Sequence, residues 1–295
     1  MNIGIEKKWA YLIALSLIWG SSFILIKKSL VGLSALQVGS LRIVFSSIII
    51  FLIAFNRISS IPKKKWKWIS LSAIVGTFFP AFLFAYAETQ IDSAVASILN
   101  SLVPMNTVLI GFAVFKISTT KIQSIGVLIG FIGTCTLIIS GADLNPDQNY
   151  LYSGLVIISS VLYAINVNLI KKYLSDVNAV SIAAGQFVVI FIPSIIVLFY
   201  SGFFNLEFNG NHLLNDSLIY VFLLSFFGTA MAKILFNKLI QISSPVFASS
   251  VTYSMLIVSV IWGILDGELF NFYQAVATIL IIIGVYLSNK KKPIN

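Results

Sequence analysis

Charge is what this sequence has least of. Only 10% of its 295 residues are Asp, Glu, Lys or Arg, while 58% are hydrophobic; soluble domains carry about 25% charged residues, so that class is excluded. A single cysteine, Cys135, rules out an intramolecular disulfide and a cysteine-held metal cluster. The chain has no GxxxxGK[ST] loop, so a nucleotide-driven pump lacks its engine. It also has no HExxH, GxSxG or mid-span carboxylate pair, which removes the usual intramembrane enzymes and leaves no call for a metal or other cofactor. Strict two-residue alternation is missing as well, which argues against a membrane β-barrel.

What is present is a succession of long apolar runs. A hydrocarbon core of roughly 30 Å needs about 20 apolar residues in a helix rising 1.5 Å per residue. Breaking the chain at charged and turn-rich points gives runs at 9–30, 34–55, 66–87, 93–115, 121–140, 152–172, 178–201, 216–240, 244–265 and 270–289. The expected fold is therefore an all-α membrane protein of ten transmembrane helices in a lipid bilayer. Lys7 and Lys8 before the first run imitate a secretory signal, but no small-x-small cleavage site follows, which favours an uncleaved first helix.

The net charge of +9 would suggest nucleic acid in a soluble protein. Here the positive-inside rule accounts for it. With the N-terminus in the cytoplasm, 15 basic residues fall in inner segments, among them Lys63 to Lys65, Lys116, Lys171, Lys172 and Lys290 to Lys292, against only Lys27 and Lys28 outside. The acids show the opposite bias: Glu88, Asp92, Asp143, Asp147, Glu207, Asp216, Asp266 and Glu268 lie outside, with Glu6 and Asp176 inside. The pattern supports ten spans with both termini cytoplasmic, and no nucleic acid partner is needed.

The chain also repeats itself. A slide of 144 residues lays Trp19 on Tyr163, Ser22 on Asn166, Lys27 and Lys28 on Lys171 and Lys172, and Arg42 on Gln186. One of 152 lays Gly76 and Thr77 on Gly228 and Thr229, and Asn100 on Thr252. The expected units are residues 1–140 and 152–295, joined by an outer loop at 141–151. Five spans each is an odd number, so the copies run through the bilayer in opposite senses, as in carriers whose inverted halves enclose a site near the midplane.

Three stretches carry a resemblance: IWGSSF followed by Lys27 and Lys28, FAYAETQIDSAVASILNSLVPMNTVLI from Phe84 to Ile110, and LFNKLIQISSPVFASSVTYSMLIVSVIWGILDGE from Leu235 to Glu268. Together they resemble the EamA family of the drug/metabolite transporter superfamily. The resemblance implies a secondary transporter, often an exporter of amino acids or other small metabolites, with a cavity lined by the first, third, fourth, sixth, eighth and ninth helices. Two positions depart from it. Glu268 matches the family's glutamate at the end of the fourth helix of a repeat, but Ile117 stands at its mate, and Pro104 has Leu256 as its mate.

Helical spacing then selects candidate cavity faces. The substrate-binding candidates are Trp19 and Ser22 on the first helix, Phe82 and Tyr86 on the third, Asn100 on the fourth, Tyr163 and Asn166 on the sixth, and Thr252 and Tyr253 on the ninth. Arg42 and Lys233 join them because both lie well inside spans, where a charge costs at least about 2.5 to 3.5 kcal/mol and marks a cavity or function. Snorkelling of the long stems and close packing of small residues are the competing explanations. No Asp or Glu sits mid-span, which favours a carboxylate-bearing solute over a cationic drug. A proton is a candidate coupling ion, with Glu88 its one plausible acceptor. Gly126, Gly130 and Gly133 form a small-residue face that packs inside the bundle or joins two protomers, leaving monomer and homodimer both open. The expected function is small-molecule export across the bacterial inner (plasma) membrane; exchange of phosphorylated metabolites, or a helper subunit that does not transport, are the alternatives.

Overall fold

The computed structural model describes residues 3–115, 121–144, 147–208 and 210–288. Lys116, Ile117 and Lys290 to Lys292, on which parts of the charge count and repeat comparison rest, lie outside the described residues. Regular structure among the described residues is entirely helical. In chain order the α-helices are α1 (Ile3–Ser29), α2 (Ala35–Ala54), α3 (Trp66–Ala73), α4 (Phe79–Ala87), α5 (Ser93–Asn100), α6 (Val103–Phe115) and α7 (Lys121–Leu144). After them come α8 (Ser153–Tyr173), α9 (Ala179–Tyr200), α10 (His212–Leu223), α11 (Ala232–Ile242), α12 (Pro245–Ser249), α13 (Val251–Leu265) and α14 (Phe272–Ser288).

Counted as continuous helical stretches, eight among the described residues are long and apolar enough to cross a membrane. Two shorter apolar runs, Leu128–Ser140 in α7 and Phe272–Gly284 in α14, lie in helices packed side by side. The glycines of α7 serve that contact: Gly133 faces Ile281 and Ala277, and Gly130 approaches Gly284. A multi-pass membrane protein follows.

Several spans are broken, and the breaks have chemical causes. Between α3 and α4, residues Ile74–Phe78 form a π-helical turn. Pro80 has no N–H to offer the carbonyl four residues back, so the Gly76 carbonyl is freed from the ladder. The second π-helical segment, Leu224–Met231, joins α10 to α11 without a proline. There the Thr229 hydroxyl reaches back to the Leu224 carbonyl at 3.3 Å. The two segments carry the Gly76–Thr77 and Gly228–Thr229 pairs that the slide of 152 superposes.

A second pair of breaks separates α5 from α6 and α12 from α13. Pro104 withholds an N–H from the Asn100 carbonyl and ends α5, and the Ser101 hydroxyl takes the Ile98 carbonyl at 2.6 Å. The second copy breaks without its proline. Ser250 and Ser249 hydroxyls bond the carbonyls of Phe247 and Val246 at 2.7 and 3.0 Å, offering the backbone the same alternative to a continuous ladder.

Packing follows the repeat. α1 lies against α13 and the α10–α11 span, while its counterpart α8 lies against α5–α6 and the α3–α4 span. α2 packs on α9, its own counterpart, as α7 does on α14. Each half thus supplies walls to a shared centre. At that centre, side chains approach backbone so closely that only glycine fits: a Cβ on Gly76 would strike the Asn166 amide, and one on Gly228 the Ser22 hydroxyl. Ser22 and Asn166 are themselves repeat mates.

Candidate functional site

The interior faces of the two halves enclose a cavity of about 90 Å³, room for several water molecules or a small solute. Trp19, Ser22, Arg42, Asn100, Tyr163, Asn166, Lys233 and Thr252 all line it. Three other candidates lie elsewhere. Phe82 packs against Gly39, Tyr86 is 38% exposed beside Leu83, Leu151, Tyr152 and Leu155, and Tyr253 packs partly buried against the apolar core. On this span the cavity face runs instead through Gly76, Thr77 and Phe84, and Phe79, at 49% exposure, points away.

One carbonyl from each irregular segment accepts a side-chain donor inside the cavity. The Trp19 indole Nε1 donates to the Gly228 carbonyl at 2.9 Å. Lys233 Nζ donates to the Gly76 carbonyl at 2.8 Å. Arg42 Nε donates to the Thr229 hydroxyl at 2.7 Å, the same hydroxyl that props open the second π-helical segment. The two cations therefore come from different halves and are each held by the irregular turn of the third or eighth run. Lys233 is 6% exposed and bonded into the cavity wall, so it does not snorkel to the interface, whereas Arg42 is partly exposed with its Nε held at the same cavity by Thr229. No Asp or Glu is among the described residues that line the cavity.

The remaining wall is aromatic and weakly polar. Trp19 meets Phe236 edge to face at 4.8 Å, and Phe84 lies stacked against Tyr163 and edge-on to Phe23. The Asn100 carbonyl oxygen and the Thr77 hydroxyl are buried with no hydrogen-bond partner, groups that a polar solute or water would satisfy. Asn166 is spoken for on one side: Ser72 donates to its Oδ1 at 2.5 Å, Gln186 Nε2 donates to the Ser72 hydroxyl, and Asn237 Nδ2 reaches Gln186 Oε1 at 3.4 Å. Gln186, the mate of Arg42, is thus a neutral structural member of the second half. The mate of Lys233 under the slide of 152 is Ala81, so the cations break the symmetry of the site.

Other hydroxyls on the expected faces are packing groups. Ser97 is bonded to Ser259, Ser160 accepts from Asn106 at 2.7 Å, and Ser16 bonds the Leu12 carbonyl of its own helix.

The helix ends on the two sides of the cavity are tied together differently. At one end, Lys27 bridges Asp266 and Glu268 at 3.0 and 2.8 Å, and Lys28 pairs with Asp266. Glu268 also accepts from the Ser93 N–H and hydroxyl at 3.0 and 2.6 Å and from the Ala94 N–H at 2.9 Å, capping the N-terminus of α5 from a distant turn. Burial pushes the Asp266 carboxyl up, but hydrogen bonds from Lys28 and Lys27 outweigh it and hold the group below its ordinary range. Glu88 lies one residue past α4 at this same end, 7% exposed. Burial, with the nearby Glu268 charge, pushes its carboxyl well above the usual range against the pull of Arg42 and Lys27.

The opposite end is held by backbone rather than acids. Lys171, the mate of Lys27, donates to the carbonyls of Ile240, Gln241 and Ser243 at 3.2, 3.2 and 2.6 Å. Lys65 pairs with Asp176 at 2.6 Å and lowers its carboxyl, chiefly by that hydrogen bond. Trp68 stacks flat on Tyr173 at 3.7 Å.

Sequence reasoning missed the role of Gly76, Thr77, Gly228 and Thr229 as cavity wall. Their exact pairing across the repeat was a usable signal.

Comparison with known proteins agrees with the architecture. The profile of the EamA-like transporter family matches residues 7–139 and 151–290. An uncharacterized transporter of Archaeoglobus fulgidus (strain ATCC 49558) is 28% identical over 193 residues, 63% of this chain, and the match spans 66% of that relative. A solved crystal structure superposes with a TM-score of 0.64 over 96% of both chains at 13% identity, a likeness of fold. The chain belongs to the EamA-like transporter family: it is a multi-pass membrane transporter, not an enzyme.

Proposed function

We propose that this protein is a secondary active carrier that exports a small carboxylate-bearing solute, an amino acid being the best fit, across the bacterial inner membrane by alternating access. In this reading the chain makes ten spans as two inverted five-helix units, residues 1–140 and 152–295, with both termini in the cytoplasm. The ion-paired Lys27 end then faces outward.

One observation carries the solute class: Arg42 and Lys233 bring two cations to a cavity with no acid among the described residues that line it. An anionic group recovers part of the desolvation cost that these cations bear, while a cationic solute adds to it. The unpartnered Asn100 oxygen and Thr77 hydroxyl suit the ammonium group of an amino acid. Phe84, Tyr163 and Phe236 would take an apolar side chain. A phosphorylated metabolite also suits paired cations, and the assay below separates the two.

The test is counterflow into proteoliposomes preloaded with amino acids, phosphometabolites or cationic dyes. Carboxylates are expected to exchange faster than in empty vesicles, and Lys233→Ala to abolish most of that exchange. Exchange of cationic dyes alone would refute the charge argument; faster exchange of phosphometabolites would favour the second solute class.

A further inference from the structure

One carboxyl at the Lys27 end is left out of the ion-pair lattice around it. Both oxygens of Glu88 are buried and without a hydrogen-bond partner. The neighbouring Glu268 holds the available donors: the Lys27 ammonium, the Ser93 N–H and hydroxyl, and the Ala94 N–H.

The charged and titratable groups around Glu88 come from every element packed there. α1 contributes Lys27, with Lys28 beside it, both held by Asp266. α2 contributes Arg42, whose Nε is bonded to Thr229, and α8 contributes Tyr163, which faces Arg42. Asp92 before α5 accepts from Gln148 at 3.0 Å. Asp266 and Glu268 complete the set from the turn after α13. Lys27, Lys28, Asp266 and Glu268 balance to zero among themselves. An ionised Glu88 would then be a buried carboxylate with Arg42 to compensate it in part and Glu268 to repel it, and desolvation would drive it to the neutral form.

We propose that Glu88 is the proton-binding site of this carrier: its carboxyl holds a proton while the Lys27 end is closed, and releases it to water when that end opens. On opening, the turn carrying Glu268 leaves α5, water reaches Glu88, and its O–H bond breaks. The proton passes to solvent and the carboxylate is left hydrated near the freed Lys27. Closing reverses the step and takes up one proton. Because the carboxyl binds its proton more tightly in the closed state, closure is favoured below the ordinary glutamate range. That advantage is lost as pH rises through the closed-state value, by up to tenfold in the closed-to-open ratio per pH unit between the two values. Protonation of Asp266, held below its ordinary range by Lys28 and Lys27, would do the opposite, opening the end in acid by breaking the clasp.

The inference rests on the carrier reading for its role in transport, but its test needs no solute, so either can fail alone. Spin labels at Thr89→Cys and Leu269→Cys, both exposed positions, would be placed in the full chain with Cys135→Ser and reconstituted in lipid. Their separation would be followed by electron paramagnetic resonance from pH 5 to pH 9. The expected result is a separated population that grows with pH in the parent and is lost at every pH in Glu88→Gln, which stays closed. A separation independent of pH, one that grows on acidification, or one that titrates unchanged in Glu88→Gln overturns the proposal. Should Glu88→Gln fail to fold, infrared difference spectra of the parent decide. A protonated-carboxyl band that disappears with the midpoint of the distance change supports the assignment, and its absence refutes it.

Discussion

Glu268→Gln isolates the clasp that joins α1, the turn after α13 and the start of α5. The side chain is 2% exposed, and its two oxygens receive Lys27, two backbone N–H groups and the Ser93 hydroxyl. The amide keeps the volume but removes the charge and turns one acceptor into a donor facing donors. Removing one partner of a buried, hydrogen-bonded ion pair costs about 3 to 5 kcal/mol, and Lys27 retains Asp266 at 3.0 Å, which places the expected loss at the lower end, about 3 kcal/mol. Asp266→Asn is the internal control. Its partners Lys27 and Lys28 are 32% and 41% exposed, so its loss should stay near or below about 1 kcal/mol. Reversible unfolding in mixed micelles measures both. The reasoning fails if Glu268→Gln costs no more than Asp266→Asn, since the difference rests on burial and on the capped α5 terminus.

The cavity and its walls yield further expectations. Lys233→Met should weaken the apparent affinity for an anionic solute by about 10- to 100-fold, the worth of one charge-assisted hydrogen bond, as read from counterflow saturation; an unchanged affinity would place the anion elsewhere. Gly76→Ala should destabilise the fold by about 1 to 3 kcal/mol by pushing a methyl into the Asn166 amide. Gly154→Ala, in α8 with open space at its Cβ, should be neutral or stabilising by up to about 1 kcal/mol in thermal unfolding.

The parts of this arrangement visible in the sequence were those that a residue announces by itself or by its mate. Trp19, Tyr163, Ser22 and Asn166 are polar interruptions of apolar runs that fall on each other under one slide, and all four line the cavity. Arg42 and Lys233 declared themselves by the cost of charge inside a span. What stayed hidden depended on backbone phase and on remote partners. Phe82 and Tyr86 share a helical face, but the cavity face is set by the π-helical turn at Gly76–Thr77 and continues through Phe84. Nothing local to Glu268 shows that its donors are the N–H groups at the start of α5, far away in the chain. Glu88, read as the end of a span, gave no sign that neighbouring donors would be taken by Glu268. The breaks before α6 and α13 were only half legible: Pro104 marks the first, while the second relies on serine hydroxyls that are equally common in unbroken membrane helices.

The opposed arrangement of the two units is the claim on which cavity, gate and orientation all depend. It is tested most directly by labelling single cysteines with a membrane-impermeant maleimide in intact cells. Positions 60 to 65 should react only after the membrane is opened, and position 147 should react in sealed cells. Labelling of both from the same side would contradict the account.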